Sequence, residues 1–170
     1  MINQNSILAS HESEFSWIRC EGKGSFKNSP RLKDWCESEI KNGATCIVID
    51  LEACKGMDST FMGTLAGLAM RLQKIPAGQM QVVDPGDKNL NSLEGLGLDS
   101  LMQIDPADAT WQSNVSEIRS KLEPCQPDVA PLDQGSDILE AHKKLCEADI
   151  RNKEKFSDVI NCLETELKNK

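Results

Sequence analysis

Residues 45–72 read TCIVIDLEACKGMDSTFMGTLAGLAMRL, and this stretch decides the fold. It opens on a short apolar run, Cys46-Ile47-Val48-Ile49, rich in β-branched residues and suited to a buried strand. A polar turn leads to Asp58, Ser59 and Thr60, and a helical pattern follows at once through Met62, Leu65, Ala66, Leu68, Ala69 and Leu72, ending before Pro76. Asp or Ser at such a junction is a good N-cap, because its side-chain oxygen accepts from the unpaired N–H groups of the first turn. A hydroxyl delivered to a helix N-terminus also faces free donors and the positive end of the dipole, a setting that suits a phosphorylated serine. Capping alone accounts for Asp58 and Ser59 equally well. Gly63 and Gly67, four apart, lower helix propensity and would let another backbone approach closely.

Outward from this junction, strands and helices alternate. Glu14 to Cys20 suggests a strand through Phe15, Trp17 and Ile18, broken by Gly22 and Gly24. Ser29-Pro30 reads as a helix start, since proline fits the first turn; Leu32, Trp35, Cys36 and Ile40 share a face, and Gly43 stops it. Met80 to Val83 is a further strand, closed by Asp84-Pro85-Gly86. Leu90, Leu93 and Leu96 give a short helix ending near Gly97, and Leu101 to Ile104 a last strand. From Asp108 to Leu122, the spacing of Trp111, Val115, Ile118 and Leu122 predicts another helix. The alternation favours a layered α/β domain around one sheet. Burial of the central strands on both faces explains the continuous apolar run at Cys46 to Ile49.

The 170 residues divide into a domain at 1–123, a linker at 124–135 and a helical extension at 136–170. Three prolines and a terminal glycine in PCQPDVAPLDQG disfavour regular structure. Beyond it, Ser136 or Asp137 can cap a helix, with Glu140 as capping-box partner to Asp137. Ile138, Ala141, Leu145 and Ala148 form one apolar stripe, and Phe156, Ile160, Leu163 and Leu167 another, with a phase shift across Asp149 to Lys155. One helix with a stutter and two joined helices both fit. So do a tail folded back on its own domain and a homodimer through the C-terminal helices, although a heptad seam calls for a longer repeat.

A formal net charge of −8 disfavours nucleic acid and anionic membrane as partners. No apolar stretch approaches the roughly 20 residues of a spanning helix, and the N-terminus lacks a basic start and apolar block, so a cytoplasmic protein is expected. The 7 cysteines show no C-x-x-C spacing, and His11 and His142 lie far apart, so neither a metal site nor a cofactor is expected. With no convergent nucleophile–base pair or Gly-rich phosphate loop in the sequence, no catalytic residues are assigned.

The strand–Asp–Ser–helix junction resembles the STAS domain of bacterial anti-sigma factor antagonists. In that family the turn after the third strand reads roughly D-S-[ST]-G-x-G, and the matching run here is Asp58-Ser59-Thr60-Phe61-Met62-Gly63. The likeness extends to Gly22, after the second strand, and to Leu93-Glu94-Gly95-Leu96-Gly97-Leu98, similar to the family's late L-x-x-x-G-L helix end. It covers about residues 12 to 120. The resemblance implies a STAS-type α/β fold, one mixed sheet covered by helices, with the C-terminal helical extension lying outside it.

It also implies a non-enzymatic binding module with Ser59 as phosphoacceptor and Thr60 as fallback. The partner would be an ATP-dependent anti-sigma factor/serine kinase, contacted through Ser25, Asn28, Asp58, Thr60, Phe61 and Met62. Ser25 stands where many members carry an acidic residue, and Phe61 replaces the first glycine of the motif, placing a bulky side chain beside the acceptor. Unmodified Ser59, its hydroxyl held in the open, would permit docking and sequester the anti-sigma factor. Phosphorylation, adding roughly −1.5 to −2 charges at one point, would prevent it. A STAS scaffold or accessory subunit in a signalling or transport assembly, acting without phosphorylation, is the alternative.

Overall fold

The computed structural model describes residues 5–125 and 134–169. Among the described residues seven strands and six α-helices follow one another as β1 (Ser6–His11), β2 (Ser16–Gly24), α1 (Ser29–Lys41), β3 (Cys46–Asp50), β4 (Cys54–Met57), α2 (Ser59–Gln73), β5 (Gln79–Val83), α3 (Gly86–Gly95), β6 (Gln103–Ile104), α4 (Val115–Ser120), β7 (Glu123–Pro124), α5 (Gln134–Ala148) and α6 (Arg151–Lys168). The sheet order is β6-β5-β3-β2-β1-β7. β2, β3, β5 and β6 run parallel, while β1 is antiparallel to β2 and to β7. The sheet is therefore mixed, and the fold is α/β as the sequence predicts.

β3 lies at the centre with all five residues buried. Its alternate residues feed two cores. Ile47 and Ile49 join Ile18, Met80 and Val82 beneath Leu32, Cys36, Phe61, Leu65, Leu72 and Leu93 of α1, α2 and α3. Cys46 and Val48 join Trp17, Val83, Trp111 and Ile118 on the opposite face. There the Trp17 and Trp111 rings meet edge to face at 5.3 Å, and the Trp111 indole N–H donates to Gln81 Oε1 at 2.7 Å.

Four features depart from the sequence reading. β1 was not anticipated, because SILASH is short and half polar; its Ile7 and Ala9 face the core. β4 lies where a polar turn is expected: it pairs with Gly22–Gly24 of β2 beyond the point where β3 leaves that strand. The register shifts there by a bulge at Gly22, whose φ of 83° suits glycine. The long helix expected over 108–122 is a 3-10 turn at Gln112–Asn114 followed by the six-residue α4. Trp111 is buried, but within the turn that precedes them rather than on a helix. Finally, Pro124 pairs with Leu8 in β7, and residues 126–133 of the expected linker lie outside the described residues.

The extension is two helices, α5 and α6, with the joint at Asp149-Ile150, inside the expected phase shift. They fold back, α5 against α2 and α6 against α5. Asn152, fully buried, locks the pair to the domain: its amide donates to Leu96 O at 2.9 Å and to Leu145 O at 2.8 Å. Lys155 reaches Gly95 O at 2.8 Å.

Candidate functional site

β4 ends at Met57 and hands the chain to Asp58, whose φ of −86° and ψ of 173° are extended, as an N-cap requires. Asp58 Oδ1 accepts from Phe61 N–H at 2.8 Å, satisfying a first-turn donor of α2. Its Oδ2 accepts from Phe26 N–H at 2.9 Å, and its own N–H donates to Gly24 O at 2.9 Å. One carboxylate thus caps the helix and staples the 25–28 turn beside it. That turn is closed by Asn28, whose Oδ1 accepts from Ser25 N–H at 2.8 Å and whose amide donates to Lys23 O at 2.9 Å. Ser25, Asn28 and Asp58 are brought together next to Ser59, with Asn28 buried and the Phe26 ring exposed.

The remaining expected contacts point elsewhere. Phe61 is fully buried and Met62 nearly so, which corrects the reading of both as apolar contacts on the surface. The Phe61 ring is no obstacle beside Ser59. It turns inward beneath Gly24, where a Cβ would come within 2.8 Å of the ring, so the missing side chain on β2 makes its space. Thr60, the fallback acceptor, is also buried, and its backbone carbonyl accepts from the Thr64 hydroxyl.

Ser59 is the first residue of α2, half-buried. Its hydroxyl is not in the open as expected: Oγ lies 2.8 Å from His142 Nε2, a residue of α5. His142 is 3% exposed, and its Nδ1 lies 2.8 Å from the Ile138 carbonyl, which can only accept. Nδ1 therefore carries a proton, and in the neutral ring Nε2 accepts from the Ser59 hydroxyl. The Phe156 ring of α6 backs the imidazole edge to face at 5.2 Å. Sequence reading missed His142, since 83 residues separate it from Ser59 and no local pattern links them.

The same face of α2 explains the two glycines. Ser59, Gly63 and Gly67 recur every four residues and so share one stripe. A Cβ on Gly63 would run into the Ala141 backbone carbonyl of α5, and one on Gly67 would meet the Lys144 side chain at 3.2 Å. α5 is the backbone that approaches, with Ala141 and Leu145 buried against the domain. Between α1, α2 and α5 a cleft of about 520 Å³ remains, lined by residues including Lys33, Glu37, Thr64, Arg71 and Glu140; neither Ser59 nor His142 lines it.

A second polar centre lies at the carboxyl end of β3. Asp50, fully buried, accepts from Trp17 Nε1 at 3.1 Å, from Arg19 at 3.0 Å and twice from Arg119, at 2.8 and 3.0 Å. Burial opposes the Arg119 charge, but the hydrogen bonds to Asp50 and Asp84 outweigh it and hold the guanidinium above its ordinary value. These groups neutralise one another and tie α4 to the sheet. Among the described residues no cluster of His, Cys, Asp or Glu is placed to hold a metal ion, and no helix is long and apolar enough to cross a membrane.

This strand–cap–serine–helix junction on a mixed sheet is the arrangement of a STAS domain, and the STAS domain profile matches residues 6–117. The chain belongs to the STAS family. Its fold is similar to the unphosphorylated anti-sigma factor antagonist SpoIIAA, at 20% identity and a TM-score of 0.54 over 68% of this chain and 97% of that one. It is similar also to an anti-sigma factor antagonist from Mycobacterium paratuberculosis, at 22% identity and a TM-score of 0.54 over 68% and 94% of the two chains. The phosphorylated form of the Bacillus cell fate determinant SpoIIAA aligns at 22% identity and a TM-score of 0.51, over 67% of this chain and all of that one. No curated protein matches the chain in sequence.

Proposed function

We propose that this protein is an anti-sigma factor antagonist, a cytoplasmic binding module that sequesters an ATP-dependent anti-sigma factor/serine kinase and is switched by phosphorylation of Ser59. The observation that carries the reading is the placement of Ser59 at the first position of α2, after the Asp58 cap and beside the stapled 25–28 turn. A helix N-terminus accommodates a dianion through its free N–H groups, while a partner surface packed against it does not. The switch then acts at an interface and leaves the domain folded. In this reading residues 1–123 form the binding domain and 136–170 an appended element, with Ser25, Asp58 and the exposed Phe26 forming the contact surface around the acceptor and buried Asn28 holding its turn rather than touching the partner.

Incubation with ATP and the kinase, with added phosphate located by mass, is expected to modify Ser59. In partner capture, Ser59→Ala should behave as the unmodified protein and Ser59→Asp should lose the kinase. An unmodified Ser59 under conditions where the kinase binds, or equal capture by both variants, overturns the switch. The second reading, a STAS scaffold that never undergoes phosphorylation, is favoured by the engagement of the Ser59 hydroxyl with His142. Equal capture by Ser59→Ala and Ser59→Asp is its expected signature.

A further inference from the structure

The face of α2 that carries Ser59 is already occupied by another part of the same chain. Three contacts place α5 there: the Ser59–His142 hydrogen bond, the Ala141 backbone on Gly63 and the Lys144 side chain over Gly67. We propose that the α5–α6 pair is a built-in cap on the acceptor face, an intramolecular stand-in for the partner that must move away before Ser59 can be reached. The inference rests on the reading of Ser59 as the acceptor and adds its regulation.

The contact is built for close fit. Gly63 is required because the Ala141 carbonyl sits where its side chain would be. His142 is buried although polar, and it meets both of its hydrogen-bonding demands, one on the acceptor hydroxyl and one on its own helix. Ala141 and Leu145 of α5 are buried, Ala148 and Phe156 pack partly buried against the core, and of the described α6 side chains only Asn152 is fully buried. Among the described residues the pair adds no strand to the sheet, so it can leave α2 by a local opening that spares the sheet. Because cap and acceptor share a chain, a partner in trans competes with an occupant whose effective concentration is on the order of millimolar. Releasing the cap should strengthen partner binding without any new contact.

The test uses the full chain carrying Ser59→Cys and follows alkylation at each cysteine by peptide mass, with exposed Cys162 as internal reference. The thiol at position 59 is expected to react at least tenfold more slowly than Cys162. Adding Leu145→Asp, which places a carboxylate in the α5 anchor, should raise the rate at 59 at least tenfold while β3 amides keep their exchange protection. Should Leu145→Asp also strip protection from β3, Ala141→Arg at the Gly63 contact decides in its place. A position-59 thiol as reactive as Cys162, or a rate unchanged by the variant that keeps β3 protected, overturns the cap. Neither measurement involves a kinase. Protection at 59 with no phosphorylation even of the Leu145→Asp chain would remove the switch and keep the cap; phosphorylation without protection would do the reverse.

Discussion

Phe61 lies under Gly24: a Cβ on that glycine would fall 2.8 Å from the aromatic ring. The pair sets where α2 starts, because Gly24 O also accepts from Asp58 N–H and the ring anchors the first turn from below. Phe61→Ala should empty this site and cost about 3–5 kcal/mol of unfolding free energy. Gly24→Val should overfill it and cost about 1–3 kcal/mol. Urea titration measures both, and a Phe61→Ala chain as stable as the parent would contradict the packing.

The two glycines of the acceptor stripe should respond in opposite senses. Alanine in a helix interior is favoured over glycine by about 1 kcal/mol. Gly67→Ala should keep most of that gain, since its Cβ meets only the flexible Lys144 side chain at 3.2 Å. Gly63→Ala should lose about 1–3 kcal/mol of docking instead, because the Ala141 backbone stands in the way. Hydrogen exchange reads the difference: α5 amides lose protection in Gly63→Ala and retain it in Gly67→Ala, with β3 unchanged in both.

Arg119 supplies two of the hydrogen bonds that compensate the buried Asp50 carboxylate. Arg119→Met leaves that charge partly unpaired, with a loss of about 3–5 kcal/mol, whereas Arg119→Lys recovers part of it as a single-point donor. The Trp17 and Trp111 fluorescence, on the same face of the sheet, follows the unfolding of both variants.

Acid should loosen the extension before the sheet. Asp149, at the joint of α5 and α6, is lowered to about 2 from an ordinary 3.8 by hydrogen bonds from the Arg151 side chain and backbone. A carboxyl whose folded value lies below its unfolded value stabilises fully above the unfolded value, and the contribution fades as pH falls through the folded one. Between pH 3.8 and about 2, α5 and α6 amides should therefore lose protection progressively, and Asp149→Asn should flatten that dependence. An unchanged profile in Asp149→Asn would exclude the joint as its source.

Much of the fold could be read from the chain because local and tertiary preferences agree there. The β3 run, the Asp58 cap and the α2 stripe follow from patterns within a dozen residues, and the phase shift marks where α5 meets α6 without deciding between a stutter and a break. β4 was missed since Lys55 and Gly56 read as turn residues; its pairing is supplied by the far end of β2. The helix over 108–122 shrank because Trp111 and Ile118 are held by the Trp17 core, which a bent segment fills as well as a helix does. At the site, Ser59 and Asp58 carry a motif and were legible. Phe61 was misplaced because the space it fills lies on β2, and His142 was missed because only the folded-back tail brings it to the serine.

The margins of the sheet set how the molecule behaves in a crowd. On one side the last strand is β7, where Pro124 stands opposite Leu8 and has no N–H to offer a newcomer. On the other, β6 is two residues long and gives little length to copy. A foreign strand finds little ladder to join at β7 or at β6, so these two borders should resist strand-templated aggregation even when the helices are loosened.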